Sequence, residues 1–429
     1  MNDMSQEPPK TMEGNRSARQ RRWRVAACFV LMLAAWYGLA GPRVALSQWM
    51  VTADNNASMT EAMAWLDGRL DLPHEGRDTR IDRMHDTAWD AKTGRVYNVV
   101  PPLMTLVCFV AMAIESAWLG QASGVLGPFV FATIVVGPLL LVGYWAFRTQ
   151  VRDPRWAAFL TLAWLVGTAV YPMMARSQGG NVGYVNHLLS QVGILLIAAD
   201  VMGRRRIWPA AIGLILAVWS RQMTLFYTAP MLWIAWTGPR RRHDLTIATT
   251  AVVLAIGGLM LLNQLKFGSP FESGYRLIYA GRNDPLALRA RQGLFALQWI
   301  PDNLRYMVWR LPRVALSHQG LALSGHAEGN SLVFSTPLVL LVFATAPTWW
   351  HDRRRRAMML ATAPVILGIL MYHAPGFHSN GCYRFGLDYL PVWLMVAAPA
   401  LVFDRWRGWT MACAAWSVVY FQMLDAVQI

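Results

Sequence analysis

Charge is scarce in this chain. Asp, Glu, Lys and Arg make up 15% of its 429 residues, too few to coat the two or three soluble domains that such a length can hold. Lysine is nearly missing, with three against 36 arginines. The net charge of +15 is therefore an arginine bias, scattered in short clusters between apolar runs. Clusters of that kind are inside anchors of membrane helices and argue against a nucleic-acid partner. Cysteine is also sparse. Cys28, Cys108, Cys382 and Cys413 form no CxxC pair, and three lie in apolar runs, so no disulfide or zinc framework is implied. The soluble-enzyme fingerprints are missing too: no GxGxxG opening a helix, no Walker A, no HExxH and no GxSxG. There is no soluble domain, repeat array or low-complexity tract.

What the chain has is apolar length. Hydrophobic residues reach 55% and fall in windows at 25–41, 103–119, 125–147, 156–174, 184–201, 207–236, 246–263, 332–350, 357–372, 389–403 and 409–425. This reads as a polytopic, all-α integral membrane protein. Residues 1–24 form a basic tail ending in Arg16, Arg19, Arg21, Arg22 and Arg24. The tail is expected to be cytoplasmic and followed by a retained signal anchor, with 25–429 as one transmembrane domain.

Basic clusters at Arg148/Arg152/Arg155, Arg204–Arg206, Arg240–Arg242, Arg353–Arg356 and Arg405/Arg407 should all be inside. Only one of 103–119 and 125–147 can then cross. The shorter carries Glu115 and starts at Pro101–Pro102, so it reads as a helix dipping into the outer face. Run 207–236 is basic at both ends and becomes a hairpin with its tip near Ser220-Arg221-Gln222. Legs of about 14 residues rise roughly 21 Å, short of the roughly 30 Å hydrocarbon core. Arg221 then stops inside the membrane and must face a wet cavity or a partner. The expectation is about 11 crossings, with long outer loops at 42–101 and 264–331. Residues 57–70 suit a helix lying on the membrane surface.

Several outer-face groups are candidates for chemistry. Asp54, ahead of Glu61, Asp67 and Asp71, reads as a general base for an acceptor hydroxyl, or as a solvated loop acid or helix cap. Tyr97-Asn98-Val99-Val100-Pro101-Pro102 fixes an extended approach to a helix, or is simply a rigid turn. Segment 264–331 carries Lys266, Arg276, Arg282, Arg289, Arg291, Arg305, Arg310 and Arg313. These either attract a lipid phosphate or form a solvated surface. His187, at the outer start of a span, can bind an acceptor or sugar, or pack. His373, His378 and Cys382 share one loop, with spacing loose for zinc.

These phrases, in this order, resemble the polytopic GT-C glycosyltransferases, among them the bacterial relatives of protein O-mannosyltransferases and of lipid A aminoarabinose transferases. The similarity runs over most of the chain. It rests on Asp54 in the first outer loop with Gly68 after it, Tyr97 through Leu103, Ser220-Arg221-Gln222, and the stretch from Asn263 through Lys266, Phe267-Gly268-Ser269-Pro270 and Gly274-Tyr275. Tyr383-Arg384 through Asp388-Tyr389-Leu390-Pro391 completes it. Asn55 and Asn56 stand where many members have a second acid, and Val100 where a lysine often precedes the double proline. The resemblance implies an inverting glycosyltransferase of the inner membrane. It would move a sugar from a polyprenyl-phosphate donor to an envelope glycan, lipid or protein. Asp54 is implied as the catalytic base. Tyr97, Pro102, His187, Arg221, Lys266, Tyr275, Arg384 and Asp388 are implied in substrate binding. No cofactor is called for, and a divalent metal stays open. The rival is a lipid-linked sugar flippase or transporter, which needs no outer catalytic acid.

Overall fold

The computed structural model describes residues 12–40, 50–72, 86–90, 93–175, 182–204, 206–280, 282–317, 320–326, 328–376 and 381–426. The fold is mostly helical. The principal helices are α1 (Met12–Ala40), α2 (Ala57–Leu66), α3 (Leu103–Leu119), α4 (Pro128–Gln150), α5 (Pro154–Val166) and α6 (Val182–Ala199). They continue with α7 (Trp208–Ser220), α8 (Thr228–Thr237), α9 (Arg241–Phe267), α10 (Arg353–Met371), α11 (Leu390–Leu401) and α12 (Asp404–Ala426). The all-α class is as expected; among the described residues three short antiparallel strand pairs accompany the helices. They join β1 (Val51–Thr52) to β4 (Val125–Leu126), β2 (Thr87–Asp90) to β3 (Arg95–Asn98), and β5 (Arg313–Ser317) to β6 (Gly320–Ser324). All lie in the segments between apolar windows or at their edges, where backbone groups without a helix need another partner.

Among the described residues three helical stretches are long and apolar enough to cross a bilayer: Gln20–Ala40, Gly183–Gly203 and Arg241–Phe267. Their surroundings differ. The middle one is 94% buried, whereas the outer two are 11% and 17% buried. Val30, Leu31 and Tyr37 on α1, and Val253, Leu254, Leu261 and Leu265 on α9, point away from the protein. Apolar flanks of that size need a non-aqueous neighbour. The buried stretch, α6, is the axis of the fold and packs on α3, α4, α7 and α11. Its closest approach is to α7, where Gly193 and Gly213 face each other's backbone and a Cβ on either would collide with it. Small residues let membrane helices come this close.

Two local expectations change shape. The stretch at 57–70 does contain a helix, capped by Asn56, whose side chain accepts from the Ser58 and Met59 N–H groups. Seven of the ten residues of α2 are buried, however, because α2 packs on α3. It is an interior helix and not an amphipathic surface one. The run 207–236 is broken where anticipated. Helix α7 stops at Ser220, Arg221 is extended, a 3-10 turn covers Gln222–Tyr227, and α8 follows.

Candidate functional site

The break at Arg221 contains neither proline nor glycine. Its cause is tertiary. Asp388 lies fully buried in the 3-10 turn Arg384–Asp388 that precedes α11. Arg221 Nη2 donates to Asp388 Oδ2 at 2.9 Å, and Nε reaches both carboxylate oxygens at 3.2 Å. The Thr224 hydroxyl donates to the Arg221 carbonyl at 2.7 Å, which closes the unwound turn. The same carboxylate lies 3.6 Å from His187 Nδ1, and the Tyr227 hydroxyl donates to the Asp388 carbonyl at 2.7 Å. Gln191 Nε2 donates to the Leu387 carbonyl at 2.6 Å. Helix α6, the α7 break and the approach to α11 are thus tied at one point.

A cavity of about 200 Å³ opens above this point. His187 and Gly183 come from the start of α6, Arg221 and Met223 from the break, and Ile369 and Tyr372 from the end of α10. Arg384 and Phe385 come from the turn before α11. Tyr275 and Tyr279 come from the segment after α9, and Asp86 and Pro101 from the segment that carries the β2–β3 hairpin. The volume is below the roughly 300–1,000 Å³ of pockets that enclose a drug-sized ligand. Its walls are mainly aromatic and aliphatic, with two guanidiniums and one carboxylate.

Arg384 differs from Arg221 in one decisive respect. Its guanidinium stacks 5.6 Å from the Tyr184 ring centroid and 5.3 Å from that of Phe385. Among the described residues no carboxylate stands within ion-pair distance of it, and its Nε is buried without a hydrogen-bond partner. Glu328 feels the charge only at longer range; burial raises its pKa, and Arg289 and Arg384 pull it back. A buried cationic donor without a partner is costly, and an anion in the cavity would satisfy it.

Asp86 is the carboxylate of this lining. Its backbone is in the left-handed region at φ +65°, which Asp tolerates better than most residues. Its carbonyl accepts from the Val99 N–H at 3.1 Å, so the hairpin base holds it in place. Burial, and after it the Asp86 charge, pushes the Tyr279 phenol up to about 12 and Tyr275 higher still. Both phenols therefore stay protonated and can donate hydrogen bonds into the cavity.

The stretch from Asn263 to Tyr275 acquires a physical reason. Gly268 caps α9 at φ +70°, and Asn263 Nδ2 donates to the Pro270 carbonyl at 3.2 Å. Gly274, at φ +78°, has Phe267 and Val99 pressed where a Cβ would stand. No other residue fits that turn, which delivers Tyr275 to the cavity. Tyr97 supports it from behind, with its ring 5.3 Å from that of Phe267.

Of the expected site residues, His187, Arg221, Tyr275 and Arg384 line this cavity, and Asp388 holds Arg221. Pro102 is the N-cap of α3, and its neighbour Pro101 is the one in the lining. Lys266 points elsewhere. It is buried and ion-paired with Glu61, and it donates to the Asn98 carbonyl at 3.0 Å. That places it away from a phosphate in the cavity. Asp54 is exposed in the turn after β1, does not line the cavity and does not cap α2. Asp86 was not singled out from sequence. Its one legible signal is position, an acid in the outer segment just before the Tyr97–Pro102 phrase. His373 and Cys382 are both buried, and His378 lies outside the described residues. Among those described, no three His, Cys, Asp or Glu side chains gather as a metal site. No family model, curated protein or solved structure matches the chain.

Proposed function

We propose that the protein is a multi-span membrane glycosyltransferase that takes a sugar from a polyprenyl-phosphate carrier and transfers it, with inversion, to a cell-envelope acceptor. The observation that carries this reading is Arg384, a guanidinium in the wall of an aromatic cavity with no ion-pairing carboxylate among the described residues. A phosphate with an apolar tail supplies both the missing charge and the affinity for apolar walls. A cavity near 200 Å³ suits the sugar–phosphate head, with the lipid chain outside.

In this reading Arg384, aided by the Arg221 donors that Asp388 leaves free, stabilises the charge that grows on the departing phosphate. Tyr275 and Tyr279 donate hydrogen bonds to the head. Asp86 takes the acceptor proton as the new C–O bond forms, and the base role assigned to Asp54 passes to it. Arg221 and Asp388 keep the floor in one arrangement. The enzyme would sit in the inner membrane with about 11 crossings and its cavity on the outer side.

The test is transfer by the purified chain, reconstituted with a panel of polyprenyl-phosphate sugars and envelope acceptors. Asp86→Asn should lower turnover about 10²–10⁴-fold, the usual worth of a general base, with donor binding nearly unchanged. Asp54→Asn should leave turnover close to normal. The reverse ranking would restore Asp54. Donor binding without transfer in any pairing would favour the flippase.

A further inference from the structure

A second set of arginines lies far along α1 and α4 and takes no part in the cavity. Helices α1 and α4 both pack on α5, which leaves a groove between them. Its upper part holds about 820 Å³ and is lined by Val25 and Phe29 of α1 and Leu141 and Tyr144 of α4, with Arg21 and Arg22 at its end. Adjoining it is a cavity of about 340 Å³ with Arg21, Arg24, Arg148 and Arg152 around it. The Tyr144 hydroxyl donates to the Val25 carbonyl at 3.1 Å, and its ring lies 5.3 Å from that of Phe29. The groove is therefore braced and its width is set.

The arginines at its end are not consumed by the protein. Arg148 Nη1 donates to the carbonyls of Val151 and Arg152. Arg21, Arg22, Arg24 and Arg152 are exposed, and among the described residues no carboxylate pairs with them. The nearest acid in sequence, Asp153, has its carboxylate turned to the Arg155 N–H at 2.9 Å. Arg21 and Arg22 thus border the apolar trough, and Arg21, Arg24 and Arg152 border the cavity that adjoins it, beside α1, a helix with an exposed apolar face.

We propose that this groove is a binding site for one anionic glycerophospholipid of the bilayer. Its phosphate would lie among Arg21, Arg22, Arg24 and Arg152, and an acyl chain along Val25, Phe29 and Leu141. A free anion would use the arginines but not the trough. A neutral lipid would use the trough but leave the arginines uncompensated. Only an anionic lipid matches both, and basic recesses between membrane helices recognise such headgroups. The site does not depend on the glycosyl-transfer reading.

The experiment uses the purified full chain in non-ionic detergent, titrated with phosphatidylglycerol, phosphatidylcholine or inorganic phosphate, with retained lipid read by native mass spectrometry. Each arginine near an anionic headgroup is worth about fivefold in affinity. The Arg21→Gln/Arg24→Gln/Arg152→Gln variant should bind phosphatidylglycerol roughly 100-fold more weakly. Arg353→Gln/Arg356→Gln, at another basic cluster, should stay within about twofold. A groove-filling Leu141→Trp variant, with every arginine intact, should also lose the lipid. Unchanged affinity in the triple variant, an equal loss at the control cluster, retention by Leu141→Trp, equal binding of phosphatidylcholine, or full competition by phosphate would each overturn the proposal.

Discussion

Two arginines that read alike in sequence have opposite electrostatic situations. Arg221 is matched to a fully buried carboxylate, and its side chain is 23% exposed. Removing it leaves Asp388 as an unpaired buried charge, which typically costs 3–5 kcal/mol. The partial exposure of Arg221 puts Arg221→Ala near the lower end, at about 3 kcal/mol, read from denaturant unfolding in detergent. Arg221→Met with Asp388→Leu should recover most of that loss, since an apolar pair of similar volume often equals a buried ion pair. Arg384 has no such partner among the described residues. Arg384→Ala should leave the unfolding midpoint nearly unchanged and weaken binding of a polyprenyl-phosphate analogue by about 1.5–3 kcal/mol, the scale of a charge-assisted hydrogen bond. If Arg384→Ala unfolds the protein instead, the residue is structural and the phosphate reading loses its main support.

At the scale of elements, a second buried network joins parts far apart in the chain. Glu61 of α2 accepts from Asn98 Nδ2 at 2.8 Å and from the Thr105 hydroxyl of α3 at 2.7 Å, and pairs with Lys266 of α9. Asn98, at the end of β3, also accepts through its own carbonyl from Lys266. Oε2 takes the two neutral donors and Oε1 faces the Lys266 ammonium, so the buried carboxylate is compensated by charge and by hydrogen bonds, as a low-dielectric site requires. Lys266→Met should therefore destabilise the fold by about 3–5 kcal/mol, without a selective effect on donor binding. Adding Glu61→Leu should return most of the stability in a double-mutant cycle. A selective loss of donor affinity in Lys266→Met would reinstate this lysine in the binding site. The expectation that Lys266 meets a phosphate came from its place in a basic segment. Its true partner lies 205 residues earlier, beyond the reach of any local pattern.

For the whole molecule, the basic clusters and the exposed apolar flanks of α1 and α9 make the same demand. In the proposed topology the chain sits in a bilayer with Arg353–Arg356 on one side and the segment after α9 on the other. A single cysteine at position 285, in a background without native cysteines, should react with a membrane-impermeant maleimide on intact cells. One at position 354 should react only after permeabilisation. Labelling at 354 in intact cells would invert the topology and place the cavity on the cytoplasmic side.

What the sequence determined by itself follows from short-range physics. Apolar windows and the lack of charge made the chain helical and bilayer-compatible. Basic residues at both ends of the run 207–236 called for a hairpin and located the interruption at Arg221. The phrase containing Gly268 and Gly274 was visible as a resemblance; the structure adds that both are left-handed and that a side chain at Gly274 would collide with Phe267 and Val99. Tertiary structure decided the rest, since burial and pairing are properties of distant neighbours. It placed α2 in the interior, matched Arg221 to Asp388 and Lys266 to Glu61, and set no carboxylate among the described residues against Arg384. It also brought Asp86, and not Asp54, to the cavity. An acid's role depends on which wall it faces, and only the packing of the Tyr275–Ile278 segment against β2 brings Asp86 to the cavity that α6, α10 and the Arg384–Asp388 turn also line.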